Sequence, residues 1–154
     1  QPLALTRLQM ADVVAESSAL LRAALPSEVQ LVQTCAGHVP PVLGDATQLG
    51  QVLVNLVGNA LKYGQGRPGL AVDVGAQRED QAWRFAVSDN GPGFDEARAG
   101  ELFKPFSRLA GEAVPGTGLG LTVVRRVVQQ HGGEVGACGR VGEGARFWWT
   151  LPAT

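Results

Sequence analysis

Four polar side chains in one segment of this chain have types and a spacing that suit phosphate and metal chemistry. In QVLVNLVGNALKYG, residues 51–64, Asn55, Asn59 and Lys62 recur at intervals of four and three, with Tyr63 next to them. On a helix they form one line along the surface. Carboxamide oxygens can complete the shell of Mg²⁺, and an ammonium one turn further on can meet a phosphate. A half-buried helix whose asparagines bond only to neighbours fits the segment equally well.

The opposite side of the same segment predicts a buried helix face. Apolar residues recur there at three-and-four spacing: Val52, Leu53, Leu56, Val57, Ala60 and Leu61. Asp45 or Thr47 is expected to cap this helix, and Gly58 leaves its backbone open to approach.

Two glycine-rich segments could hold a nucleotide. In DNGPGF, Asp89 ends a predicted strand, and Gly91 and Gly93 permit positive φ and let a flat ligand lie against the chain. A buried carboxylate there would accept a hydrogen bond from an exocyclic amine, which would select adenine. A ligand-free Asp-Asn-Gly turn is the alternative.

The second segment, GTGLGL at residues 116–121, opens the last predicted helix. Glycines at this point expose amide groups at the positive helix end, which suits phosphate oxygens. It is neither a Walker loop, since no Gly-Lys-Ser/Thr follows, nor the dinucleotide fingerprint, whose strand and downstream acid are missing.

The order of predicted elements indicates an α+β fold. Helices are expected at residues 10–25, ended by Pro26, at 51–64 and at 119–130, with one helical turn near 97–103. Strands are expected at 29–34, 70–77, 82–88, 134–139 and 145–151, and residues 3–8 form an edge strand or a linker. This order predicts a two-layer sandwich with helices on one face of a mixed, mostly antiparallel sheet.

Composition excludes several classes of function. The 154 residues, 45% apolar and 18% charged, suit one globular domain, and the net charge of −1 provides no field for nucleic acid or an anionic membrane. No apolar run is long enough to cross a bilayer. Cys35 and Cys138 lack metal spacing and are expected to be buried thiols in a reducing compartment. Because the chain begins at Gln1, we expect it to be a piece of a longer protein.

Several motifs in order resemble the catalytic ATP-binding domain of sensor histidine kinases, in the gyrase, Hsp90, histidine kinase and MutL superfamily. Residues 51–63 resemble its N box, 89–94 its G1 box, LFKPF at 102–106 its F box and 116–121 its G2 box. The closing HGGEV and GEGARFWWTLP are also similar, so the likeness spans residues 3–152. The segments FSRL and PGTGLGL are similar to the corresponding segments of phytochrome-like kinases. The resemblance implies one domain over residues 1–154, with the Bergerat-type fold and an ATP lid at 94–115.

The resemblance also implies roles for individual residues in binding ATP and Mg²⁺. Asn59 would be the Mg²⁺ ligand, with Asn55 supporting the phosphate end, Lys62 facing a terminal phosphate and Tyr63 lying against adenine. Asp89 would read the adenine amino group above a floor shaped by Gly91 and Gly93. The amides that wrap the phosphates would come from Gly116, Thr117, Gly118, Leu119, Gly120 and Leu121. Arg108 and Lys104 would reach the γ-phosphate from the lid, which Phe103 and Phe106 would anchor unless they are ordinary core residues.

Asn55 separates the members of this superfamily. The hydrolytic ATPases carry Glu there as a general base, and an amide cannot take the proton. The resemblance therefore implies a protein histidine kinase whose acceptor histidine lies on a separate helical dimerisation domain, with a response regulator downstream. His38 and His131 do not lie in a phosphoacceptor context, and His131 is expected to cap a helix C-terminus.

From this we expect a cytoplasmic, monomeric domain, without direct membrane contact, that binds ATP·Mg but neither labels itself nor hydrolyses ATP appreciably. The alternatives are a degenerate nucleotide-binding regulatory module and a serine kinase or ATPase of the superfamily. One departure from the family is Ala145, where a threonine often helps to position adenine. Trp148 and Trp149 alternate on a strand, so one is expected in the core and the other either exposed or at a contact with the helical domain.

Overall fold

The computed structural model describes residues 3–23, 29–33, 40–64, 68–79, 81–103 and 120–152. The elements in chain order are β1 Thr6–Leu8, α1 Met10–Arg22, β2 Gln30–Gln33, β3 Val42–Gly44, α2 Ala46–Tyr63, β4 Ala71–Glu79, β5 Ala82–Asp89, a short 3-10 helix Glu96–Glu101, α3 Gly120–Gln130, β6 Val135–Arg140 and β7 Gly144–Pro152. They form the two-layer α+β sandwich that the element order predicts.

The main sheet has five strands in the order β2-β4-β5-β7-β6, and β1 and β3 form a separate antiparallel ribbon. β2 runs parallel to β4, and every other pair in the sheet is antiparallel. The sheet is therefore mixed and mostly antiparallel, as predicted.

Side chains alternate along the central strands between a helix-facing side and an outer side. On β5 and β7 the helix-facing side chains include Phe85, Val87, Phe147 and Trp149, all of them buried. The rings of Phe85 and Trp149 stack with centroids 4.5 Å apart. Trp149 is thus the core residue of the predicted tryptophan pair. Trp148 lies half-buried on the outer side of the sheet, with the Arg84 guanidinium over its ring.

α2 packs its apolar stripe into the core and is stabilised at its start by Asp45. The buried residues of this helix are Leu49, Val52, Leu53, Leu56, Val57 and Ala60. The Asp45 carboxylate accepts hydrogen bonds from the backbone N–H groups of Gln48, at 3.1 Å, and Ala4, at 3.0 Å. Asp45 is therefore the N-cap, one of the two residues expected for that role, and it also holds the chain that enters β1.

His131 joins the end of α3 to the start of α2. Its Nδ1 lies 2.8 Å from the Val127 carbonyl oxygen, and its Nε2 accepts from the Asp45 backbone N–H at 3.0 Å. The neutral tautomer with the proton on Nδ1 satisfies both contacts. The predicted capping role is confirmed, and the bond to Asp45 is an addition that the pattern near His131 did not indicate.

One prediction about the core is wrong. Cys138 is exposed, not buried. It lies on the edge strand β6 opposite Arg146, and that pair faces the outer side of the sheet. Cys35 lies outside the described residues, as do residues 24–28, where α1 was expected to end. Among the residues that the structure describes, no helix has the length and apolarity needed to span a membrane.

We expect the stability of the fold to depend on the charge of Asp45. The backbone N–H groups of Ala4 and Gln48 hold the pKa of this carboxyl below its ordinary value of 3.8. A depressed folded pKa contributes stability that is fully present above the unfolded value and is lost as pH falls through the folded value. Asp45→Asn should lower the unfolding free energy at pH 7 by about 1–2 kcal/mol, because two hydrogen bonds to a charged group become bonds to a neutral one.

Urea unfolding of both proteins from pH 7 down to pH 2.5 checks this. The difference between them should shrink below pH 3.8, because protonation removes the advantage of the carboxylate. Asp12→Asn, at an exposed position in the first turn of α1, is the control and should change little. A difference that stays constant or grows in acid would contradict the role given to Asp45.

Candidate functional site

The predicted site residues that the structure describes come from three segments: the second half of α2, the end of β5 and the start of α3. On α2, Asn55, Asn59 and Tyr63 are half-buried and Lys62 is exposed. They lie on the polar side because the apolar stripe of the helix occupies the core. The line of side chains expected from their spacing is therefore present and accessible.

Asn55 connects α2 to the first residue of α3. Its Nδ2 donates to the Gly120 carbonyl oxygen at 3.2 Å, and its Oδ1 accepts from Nε2 of Gln51 at 2.9 Å. Both ends of the carboxamide are thus engaged within the protein. An amide with this bonding holds the start of α3 and cannot act as a general base.

Asp89 lies at the end of β5 on the helix-facing side of the sheet, in phase with Phe85 and Val87. Its Oδ1 accepts from the Gly91 backbone N–H at 2.8 Å. A Cβ placed on Gly91 would lie 3.7 Å from the Cα of Gly64, directly after α2. The carboxylate predicted to read a base is thus close to the end of the helix that carries Tyr63.

Asn90 fixes the turn after Asp89, in line with the Asp-Asn-Gly turn that the sequence offers as an alternative. Its Oδ1 accepts from the Ala71 N–H at 2.7 Å and its Nδ2 donates to the Gly69 carbonyl at 2.9 Å. An asparagine between a strand end and a glycine is a common turn residue, so the signal was present but not specific.

The two glycines of this segment differ in what they require. Of the two glycines expected to permit positive φ, only Gly93 adopts it, with φ of +68°; Gly91 is not in the left-handed region. A Cβ on Gly93 would overlap the carbonyl oxygens of Arg140 and Gly144. Gly93 is therefore needed for contact with the β6–β7 turn. At Gly91, a Cβ would instead lie 2.8 Å from the Asp89 carboxylate.

Aromatic packing holds the chain that leaves this segment. Phe94 and Phe103 are both buried against Phe147, with ring centroids 5.9 and 6.4 Å away. Thr122 on α3 donates its hydroxyl to the Phe103 carbonyl oxygen at 3.2 Å. Phe103 is thus a core residue, whatever its further role as an anchor for the following segment.

The remaining predicted site residues divide into two groups. Two of them lie at the start of α3 and are described. Gly120 begins the helix, and a Cβ there would meet no atom within 4 Å. The Leu121 side chain is buried in the core, so only the backbone of Leu121 is available to a ligand. Seven others lie outside the described residues: Lys104, Phe106, Arg108, Gly116, Thr117, Gly118 and Leu119.

The position of Ala145 bears on the expected departure from the family. In the pairing of β5 with β7, Ala145 is the residue opposite Asp89. A methyl group here cannot donate a hydrogen bond to a neighbouring base or carboxylate. The position where the family often has a threonine hydroxyl is therefore directly beside Asp89, the residue expected to recognise adenine.

Comparisons with known proteins give the family. Residues 44–154 match the model described as histidine kinase-, DNA gyrase B-, and HSP90-like ATPase. The chain belongs to this family. It is 35% identical over 115 residues to cyanobacterial phytochrome A of Nostoc sp., a match that covers 74% of this chain and 15% of that protein. This domain therefore spans a small part of that longer relative.

Two solved structures show the same fold over nearly the whole chain. A mycobacterial sensor histidine kinase, MprB, matches with a TM-score of 0.80 at 28% identity, covering 98% of this chain and 97% of that one. Full-length ShkA in complex with AMPPNP matches with a TM-score of 0.85 at 28% identity, covering 99% of this chain and 32% of that one. The α+β sandwich is thus that of histidine kinase ATP-binding domains.

The requirement at Gly93 can be tested by adding a methyl group. Gly93→Ala should lower the unfolding free energy by about 2–4 kcal/mol, because it combines a left-handed backbone with overlap on the β6–β7 turn. Gly100→Ala, where a Cβ would meet nothing within 4 Å, should change it by less than about 0.5 kcal/mol. Denaturant unfolding of the two variants measures this difference. Equal free energies of unfolding would refute the close approach of Gly93 to the β6–β7 turn.

Proposed function

We propose that this domain binds ATP with Mg²⁺ and donates the γ-phosphoryl group to a histidine on a separate helical domain of the same parent protein, as part of a two-component sensor kinase. The observation that carries the proposal is the position of Asp89. Its carboxylate belongs to the helix-facing side of the sheet, at the strand end that meets the end of α2. This arrangement suits recognition of an exocyclic amine at one end of a site whose other end is the start of α3.

The base and the phosphates are assigned to opposite ends of this site. Asp89 would accept from the adenine amino group, Tyr63 would lie against the ring, and Gly91 would leave the floor flat. The helix start at Gly120, together with Gly116, Thr117, Gly118 and Leu119 before it and the Leu121 backbone after it, would supply amides to the phosphates. Lys62, exposed at the end of α2, would pair with a terminal phosphate.

The side chains present fit a magnesium ion held largely by its nucleotide. Within the described part of the chain no group of three or more His, Cys, Asp or Glu side chains could hold a metal by itself. Mg²⁺ keeps several waters and takes few protein ligands when phosphates are available. Asn59 would supply one carboxamide oxygen beside Gly58, where a Cβ would meet open space. The ion would screen phosphate charge during transfer.

Asn55 is the reason for proposing transfer to a histidine over hydrolysis. Its amide is bonded at both ends and offers no base for an attacking water. The phosphoryl group would therefore wait for an acceptor supplied by the helical domain, with Arg108 and Lys104 stabilising charge from the lid. A response regulator would receive the phosphoryl group afterwards. Because the proposed phosphate donor is ATP, we place the domain in the cytoplasm. We also propose that the domain is a monomer when it is separated from its dimerisation domain.

Adenine recognition by Asp89 can be tested by calorimetry with AMPPNP and Mg²⁺. Asp89→Asn should weaken binding at least about tenfold, because the amide NH₂ would face the adenine amino group and a hydrogen bond to a charged group is lost. GTP should not compete. Asp73→Asn is the matched control, since Asp73 lies on the outer side of the same sheet. The proposal fails if both variants bind as well as the unmodified protein.

Phosphotransfer can be tested by supplying the acceptor domain. With γ-labelled ATP, the isolated chain should remain unlabelled and release little phosphate, because neither His38 nor His131 is proposed as an acceptor. Added helical domain of the parent protein should become labelled in an acid-labile form. Nucleotide binding without labelling would instead favour a degenerate regulatory module, and rapid phosphate release by the chain alone would favour an ATPase.

A further inference from the structure

Two hydrogen bonds in series run from the surface of α2 to the first residue of α3. Gln51, an exposed residue one turn before Asn55, donates from Nε2 to Asn55 Oδ1 at 2.9 Å. Asn55 then donates from Nδ2 to the Gly120 carbonyl at 3.2 Å. Gln51 lies in the groove between the two helices, whose volume is about 410 Å³ and whose walls include Val123 and Arg126.

The two bonds require the same orientation of the Asn55 carboxamide. A carboxamide has an acceptor on one side and a donor on the other, and only one of its two orientations offers the donor to a carbonyl oxygen. The Gly120 carbonyl oxygen can only accept, so Nδ2 of Asn55 faces it, and the bond that Gln51 donates to Oδ1 stabilises the same orientation. In the reversed orientation Oδ1 would face the Gly120 oxygen, and two acceptors would repel each other.

The energies involved distinguish an effect of Gln51 on the orientation of Asn55 from a contribution of Gln51 to the stability of the fold. An exposed pair of side chains four residues apart on a helix contributes only about 0.2–0.5 kcal/mol to the stability of that helix. The consequence of losing it therefore falls on the orientation of Asn55 and, through it, on the first turn of α3. That turn begins with Gly120, where the phosphates are proposed to bind.

We propose that Gln51 is a positioning residue of the nucleotide site, which acts through Asn55 to hold the start of α3 against α2. This inference rests on the proposed function for its effect on nucleotide binding. The chain of hydrogen bonds itself can be tested separately, by a measurement made without nucleotide.

The decisive variant is Gln51→Glu, because a carboxylate accepts from Asn55 Nδ2 and so favours the reversed orientation. The dissociation constant for AMPPNP·Mg should rise about 3- to 10-fold, the equivalent of one ordinary hydrogen bond. Gln51→Ala, which removes the bond to Oδ1 but leaves the Gly120 carbonyl to orient Asn55, should raise the dissociation constant about twofold. Gln48→Glu places the same charge on the same helix and should have little effect.

A double-mutant cycle separates orientation from charge. In an Asn55→Ala background, Gln51→Glu should cause no further loss of affinity, because no carboxamide remains to be turned. An equal loss in both backgrounds would mean that the added charge acts on the nucleotide directly, and this would overturn the proposal. Thermal unfolding of every variant should stay within a few degrees of the parent.

A nucleotide-free measurement distinguishes failure of this inference from failure of the proposed function. In NMR spectra, the side-chain NH₂ signals of Asn55 and the amide signal of Leu121 should shift in Gln51→Glu and stay in place in Gln48→Glu. Unchanged signals in Gln51→Glu would overturn the inference. Shifted signals in a protein that does not bind AMPPNP would support the Gln51–Asn55–Gly120 connection and refute the proposed function.

Discussion

The orientation of α2 about its own axis, which sets the side of the helix that faces the sheet, is the constraint on which the rest of the structure depends. Six of its apolar side chains are buried, and each of the five Leu and Val residues among them contributes roughly 1.5–3 kcal/mol. The hydrogen bonds made by its polar side contribute about 0.5–1.5 kcal/mol each. Apolar burial therefore decides which side of the helix faces the sheet. Asn55, Asn59 and Lys62 then lie on the side of the helix away from the core, and Asn55 contacts the start of α3.

Several of the protein's own polar contacts hold the segments of the candidate site together. Asn90 secures the turn after β5, Thr122 holds the chain at Phe103, and Asn55 holds Gly120. At the opposite end of both helices, Asp45 and His131 join the start of α2 to the end of α3. α3 is therefore tied to α2 at both of its ends, and the helix start proposed to bind phosphate has a fixed position.

Local patterns were enough to predict most of the fold, and they indicated the candidate site residues whose roles are proposed above. Periodicity of two and of three-to-four residues placed the strands and helices, and the end of β5 placed Asp89. Contacts between distant segments were not predictable in the same way. The bond between Asp45 and His131 joins residues 86 apart in the chain, and the need for Gly93 arises from the β6–β7 turn. Cys138 was misjudged because its burial depends on which side of an edge strand it occupies.

The central claim is that one adenine site joins the end of β5, the polar side of α2 and the start of α3. An NMR titration of the isotope-labelled domain with ADP·Mg, repeated with GDP·Mg, tests it most directly. ADP should shift the amide signals of Gly91, Asn59 and Leu121 together, with one affinity. It should leave the signals of Gly136 and Cys138, on the edge strand β6, unchanged. GDP should cause little change. Shifts confined to the outer side of the sheet, or equal shifts with both nucleotides, would contradict the account.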